Sequence, residues 1–64
     1  MLAENVKRYR AKLGLSQEEL AHKAGVTYST LTKIEMGVNQ NPKVRTLQQS
    51  AAALDVTLDD LMKE

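Results

Sequence analysis

Cysteine, tryptophan and phenylalanine are absent from this 64-residue chain. The missing cysteines exclude disulfides and thiolate metal sites, and point to a cytosolic setting. One histidine, His22, excludes a histidine-based metal cluster. No apolar run approaches the roughly 18 residues of a membrane span. The opening "MLAENVKRYR" interleaves charge with apolar residues and carries no signal-peptide core. The aromatics are Tyr9 and Tyr28 alone, so a core must be built from Leu, Val, Ile and Ala, which suits packed helices. A chain of this length buries only about 60% of its unfolded surface. Its expected stability is about 3 to 6 kcal/mol, and residues 1–64 are expected to form one domain.

Net charge is only +1, but it is unevenly spread. Residues 1–45 hold eight basic and four acidic side chains, a net of +4. Residues 46–64 hold Lys63 against Asp55, Asp59, Asp60 and Glu64, a net of −3. The basic two thirds could hold a polyanion that the remainder would repel.

Five helices and no strand pattern are expected. Leu2, Val6, Tyr9 and Leu13 recur at helical spacing, and Gly14 stops that helix. "SQEE" at Ser16 to Glu19 is a capping box opening a second helix that buries Leu20, Ala21 and Ala24 and stops at Gly25. Thr27 is a suitable N-cap for a third helix ending at Gly37. A fourth helix starts near Pro42 or Lys43, with Asn41 as one possible cap, and ends near Leu54. A short fifth has Thr57 as cap, Asp60 three residues on, then Leu61 and Met62. Only Gly25, Val26 and Thr27 separate the second helix from the third. So short a link forces a sharp crossing, and the small Ala21 permits close approach. This is the logic of a helix-turn-helix.

At about 100° per residue, Tyr28, Ser29, Thr32, Lys33 and Met36 share one side of the third helix, with Leu31 and Ile34 opposite and Glu35 at the inner edge. The outer side is poor in the Glu and Lys usual on a solvated face. Tyr28 and Ser29 sit at the helix N-terminus, beside free backbone N–H groups and the positive end of the dipole. A helix entering the major groove N-terminus first uses such positions to reach base edges. Lys33 can donate to guanine or phosphate, Ser29 can donate and accept, and Tyr28 offers a hydroxyl and an apolar ring.

"LGLSQEELAHKAGVTYSTLTKIEMG", with the later "LDVTLDDL", resembles the Cro/Xre family of helix-turn-helix domains, the lambda-repressor-like fold. The resemblance runs from Val6 to Met62. It implies an all-α, compact five-helix bundle whose third helix reads DNA. It also implies that Gln17 touches a phosphate and that the loop before the fourth helix runs along the backbone. Tyr28, Ser29, Thr32 and Lys33 are then the base-reading candidates, and Gln17, Thr27, Asn39, Asn41 and Lys43 the backbone candidates. Arg10 and Glu35 match a pair found in phage repressors of this family. The physics agrees, because Arg10 lies on the Val6–Leu13 side of its helix, an awkward place for an unpaired charge.

Four positions depart from the family pattern. The loop "GVNQNP" is neutral, and Met36 replaces a residue that is commonly polar or basic, both of which weaken a phosphate grip. Asp55 stands where Gly usually ends the fourth helix. Gln48 and Ser50 stand where relatives are often apolar, which predicts a thinner core there. Met36, Val38 and Val44 could then form an apolar patch for a protein partner instead of DNA, a reading that fold alone does not exclude. An enzyme is not expected: Ser16, His22 and an Asp could be imagined as a triad, but His22 lies on the outer side of its helix beside Lys23, and a bundle this small has little room for a water-excluding cleft. The sequence therefore predicts a transcriptional regulator, a repressor, that binds double-stranded DNA as a homodimer in the cytoplasm, associated with a bacterial, archaeal or phage nucleoid. No cofactor, metal, membrane or small-molecule substrate is expected.

Overall fold

The computed structural model describes residues 1–64 as five helices: α1 (Leu2–Lys12), α2 (Gln17–Ala24), α3 (Tyr28–Glu35), α4 (Val44–Ala53) and α5 (Leu58–Met62). None is long and apolar enough to cross a membrane. The starts of α2, α3 and α5 are set by side chains. The hydroxyls of Ser16, Thr27 and Thr57 accept from the backbone N–H groups of Glu19, Thr30 and Asp60. Glu19 and Asp60 return the bond to the N–H groups of Ser16 and Thr57, at 2.8 and 3.0 Å. Each box satisfies helix-end donors that the helix itself leaves open.

α4 begins at Val44, beside the expected Lys43, but without the Asn41 cap. Its N-cap is Lys43, not Asn41, and Pro42 lies outside the helix. The Asn39 carboxamide oxygen accepts from the Asn41 N–H at 3.1 Å, which holds residues 39–41 in a side-chain-closed turn. Pro42 also disfavours helical backbone at the residue before it. At the other end Asp55 takes the left-handed conformation, φ 60°, as the expected substitute for glycine.

The core is Val6, Leu20, Ala21, Ala24, Leu31, Ile34, Ala51, Ala53, Leu54 and Leu61, with Leu2, Tyr9, Leu15, Val26 and Val56 packed against it. α1 packs on α3 and α5, α2 on α3 and α4, and α4 on α5. α3 is thus held chiefly from the α1 and α2 sides. Gly25, at φ 72°, ends α2 and lets the Val26 N–H bond back to Ala21, so the chain turns within three residues. Ala21 is buried, as its small size requires.

One inward expectation fails. Leu13 is exposed because α1 has already ended at Lys12, and Leu15 packs on the core instead. The two polar replacements in α4 part company. Gln48 faces solvent. Ser50 is buried, and its hydroxyl donates to the Thr46 carbonyl at 2.8 Å, so the polar atom is satisfied within its own helix.

Asn5 joins the core although it is polar. It is buried between Leu2 and Tyr9 on the inner side of α1. Its amide donates to the carbonyls of Leu61, at 2.8 Å, and Lys63. Leu61 belongs to the open end of α5 and Lys63 follows it in extended conformation, so Asn5 acts as a C-terminal cap supplied from another helix. Its place in the i, i+3, i+4 apolar spacing is the signal the sequence offers. Replacing Asn5 with Ala leaves those carbonyls without a protein donor and is expected to cost about 1 to 3 kcal/mol, read as a lower urea midpoint.

The capping boxes make a prediction about acid. Hydrogen bonds from the Ser16 backbone N–H and hydroxyl hold the Glu19 carboxyl below its ordinary range, and Thr57 does the same for Asp60. Both folded values lie below the unfolded ones. Their contribution is therefore full above the ordinary carboxylate range and is lost as pH falls through the lowered values. Melting followed from pH 7 to pH 3 should show a smaller acid-induced loss in a Ser16→Ala, Thr57→Ala double variant than in the parent.

Candidate nucleic-acid interface

Thr27 sets the position of α3. Its hydroxyl accepts the Thr30 N–H at 3.0 Å and lies 2.8 Å from the Thr30 hydroxyl. Leu31, Ile34 and Glu35 turn inward, which leaves Tyr28, Ser29 and Lys33 exposed and Thr32 half-buried. The Thr32 hydroxyl donates to the Ser29 carbonyl at 3.0 Å, so it is less free than the other three. Tyr28 is half-exposed at 51%. The four base-reading candidates thus lie along one side of a helix whose opposite side is anchored.

The anchor is polar. The Arg10 guanidinium grips Glu35 with two bonds, Nε to Oε2 at 2.7 Å and Nη2 to Oε1 at 2.9 Å. A third, from Nη1, reaches the Leu15 carbonyl at 2.9 Å in the link between α1 and α2. The Glu35 side chain is 2% exposed and that of Arg10 20%. Glu35 is therefore deeper than the inner edge where the sequence places it. The hydrogen bond to Glu35, with its charge, raises the Arg10 pKa against the opposing effect of burial.

Gln17 extends this anchor to the surface. Its Nε2 donates to Glu35 Oε1 at 3.0 Å, and its Oε1 faces the Tyr28 hydroxyl at 3.4 Å. So Arg10, Glu35, Gln17 and Tyr28 form a chain from α1 through α3 and α2 back to the first residue of α3. From the sequence, Gln17 reads as a phosphate contact; these two partners come from the structure. Chain segments that are far apart in sequence meet here, and no local pattern announces that.

The remaining backbone candidates are less closely gathered. The Asn39 N–H donates to the Lys33 carbonyl at 3.0 Å, which ties the loop to the end of α3. Asn41 and Lys43 are exposed, and Lys43 caps α4 through its backbone. Met36, Val38 and Val44 are exposed apolar residues flanking the same loop, Met36 at 73%. A cleft of about 300 Å³, lined in part by Met1, Leu2, Ile34, Gly37 and Met62, opens toward the C-terminal end of α3.

Comparison with known proteins agrees with this geometry. A family model described as helix-turn-helix matches residues 6–61. The transcriptional regulator SinR of Bacillus subtilis is 41% identical over all 64 residues, which span 58% of its length. Among solved structures, SinR in complex with DNA superposes with a TM-score of 0.94 at 40% identity, covering 98% of this chain and all of that one. SinR in complex with SinI gives a TM-score of 0.96 at 41% identity, covering this whole chain and 62% of that one. The chain thus spans a little over half the length of the curated relatives it matches.

Glu35→Gln keeps the shape and removes the charge opposite Arg10. Breaking a buried pair on one side costs about 3 to 5 kcal/mol, comparable with the stability of a domain this small. Thermal unfolding should show the variant largely unfolded, or melting far below the parent; an unchanged melting temperature would mean that the pair contributes nothing.

Proposed function

We propose that this chain, which belongs to the helix-turn-helix family, is the sequence-specific DNA-binding domain of a transcriptional repressor. α3 enters the major groove, and α2 crosses the backbone with the Gln17 end at a phosphate. The observation that carries this reading is the polar side of α3: Tyr28, Ser29 and Lys33 are exposed on a helix held from behind by Leu31, Ile34 and the buried Glu35. The N-terminus of α3 presents backbone N–H groups and a positive dipole end to an approaching polyanion. The likeness to SinR bound to DNA supports the same reading.

Tyr28, Ser29, Thr32 and Lys33 read bases. Gln17, Thr27, Asn39, Asn41 and Lys43 meet the sugar–phosphate backbone. One such module is a small reader, so specific binding uses two copies on half-sites about one helical turn apart. The setting is the cytoplasm of a bacterium or archaeon, or a phage-infected cell. The neutral loop and the exposed Met36, Val38 and Val44 favour a second reading, a face addressed to a protein.

An amide NMR titration with a generic duplex at low salt separates the two. Shifts at Gln17, at residues 27–33 and at residues 39–43, fading as salt rises, are the expected result. A spectrum that does not move at high micromolar duplex would favour the protein-docking reading. Once a preferred sequence is selected, Ser29→Ala and Lys33→Ala should each cost about 1 to 3 kcal/mol and relax preference at one position. Lys43→Ala should instead weaken binding to all sequences alike and lower the salt slope by about 1. Equal losses on all sequences from the first two variants would count against base reading.

A further inference from the structure

We propose that Met36 selects a pyrimidine by its 5-methyl group, which in unmodified DNA means thymine. This rests on the DNA-reading function above and adds to it one residue and the base group that it reads.

Met36 is 73% exposed, more than any other large apolar side chain of this protein. It caps the C-terminal end of α3 but keeps helical backbone, φ −82° and ψ −7°, and its N–H donates to the Thr32 carbonyl at 2.9 Å. Its bearing about the axis is therefore that of a helical residue. At about 100° per residue it falls about 20° from Ser29 and 40° from Thr32, with Tyr28 and Lys33 on either side at about 80° and 60°. Met36 thus stands near the middle of the outward side, among the four base-reading candidates. It is seven positions after Ser29, about 10 Å along the axis, which is at most about three base-pair steps. It is not among the residues that line the cleft near the end of α3, so its exposure does not serve that cleft. Val38 and Val44 are exposed too, but they lie in the loop and at the start of α4. Of the three, only Met36 belongs to the side of α3 that carries Ser29 and Thr32.

A thioether donates no hydrogen bond and accepts weakly. It also carries no charge for a phosphate. Base pairs present carbonyl, amino and N7 groups in the major groove, and one apolar group, the thymine 5-methyl. A thioether laid on the polar groups strips their water and returns no hydrogen bond. Laid on the methyl, it removes apolar surface from water on both sides of the contact. Methionine has three rotatable bonds and a polarizable sulfur, so it seats on a methyl whose position varies with groove geometry. 5-Methylcytosine offers the same methyl in the same groove.

The test begins with selection of a preferred sequence from a random duplex library by the parent. Each thymine of that sequence is then replaced singly by deoxyuridine, which lacks only the methyl. The variants Met36→Gln, Met36→Ala and Met36→Leu are compared after their amide spectra show the parent fold. The expected result is one thymine per half-site whose replacement weakens the parent about fourfold, as for one buried methylene-sized group. Met36→Gln and Met36→Ala should be indifferent to that replacement, and Met36→Leu should keep most of the sensitivity. At the same position the parent should bind 5-methylcytosine about fourfold better than cytosine. A preferred sequence in which no thymine is sensitive to loss of its methyl overturns the inference while leaving DNA reading intact. So does a penalty of equal size in Met36→Gln and Met36→Ala, which would assign the methyl to another residue. If the parent enriches no sequence at all, the DNA-reading function fails and the inference falls with it.

Discussion

Arg10 and Glu35 meet 25 residues apart in sequence, and the packing of α3 depends on their meeting. Burying a carboxylate costs several kcal/mol unless it is paired and fully hydrogen-bonded. Here the carboxylate takes two bonds from Arg10 and one from Gln17. Arg10 also holds the Leu15 carbonyl in the link to α2. One ionic contact therefore joins α1, α3 and the approach to α2. A hydrophobic pair of similar volume could stabilise as much or more. What it would not supply is direction, because bidentate geometry sets the rotation of α3 about its own axis. That rotation decides which residues of α3 face outward.

The outward side can then be sparse in charge and still be specific. α3 has eight residues and is too short to persist alone. It exists because Thr27 caps it and because Leu31 and Ile34 are buried against its neighbours. Stability comes from the inner side, so the outer side is free to carry Tyr, Ser, Thr and Lys. The mild basic bias of residues 1–45 suits a polyanion, but the neutral loop and Met36 contribute nothing to a phosphate grip.

Much of this is legible in the residues themselves. Ser16, Thr27 and Thr57 mark helix starts, and Gly25 with Ala21 marks the sharp turn, because such effects depend on residues within one helical turn of each other. Asp55 in place of glycine is legible for the same reason. The cap of α4 is not, since Asn39 competes for the backbone of Asn41 and nothing in the local pattern ranks that turn against an Asn cap. Leu13 misleads because apolar periodicity carries on past the point where the helix stops. Asn5 shows only its place on an apolar side; its role depends on distant partners, the Leu61 and Lys63 carbonyls.

The residues alone determined the all-helical architecture, the helix-turn-helix and the identity of the outer side of α3. Periodicity, caps and turn residues are local, and each states its own consequence. They also named Arg10 and Glu35 as a pair, through an awkwardly placed charge and a family likeness. Tertiary structure decided the depth of that pair, the cross-helix cap by Asn5 and the partners of Gln17. Those depend on side chains converging from separate helices at distances of about 3 Å, where an error of one rotamer breaks a bond. The orientation of the Gln17 carboxamide against Glu35 exists only in that convergence.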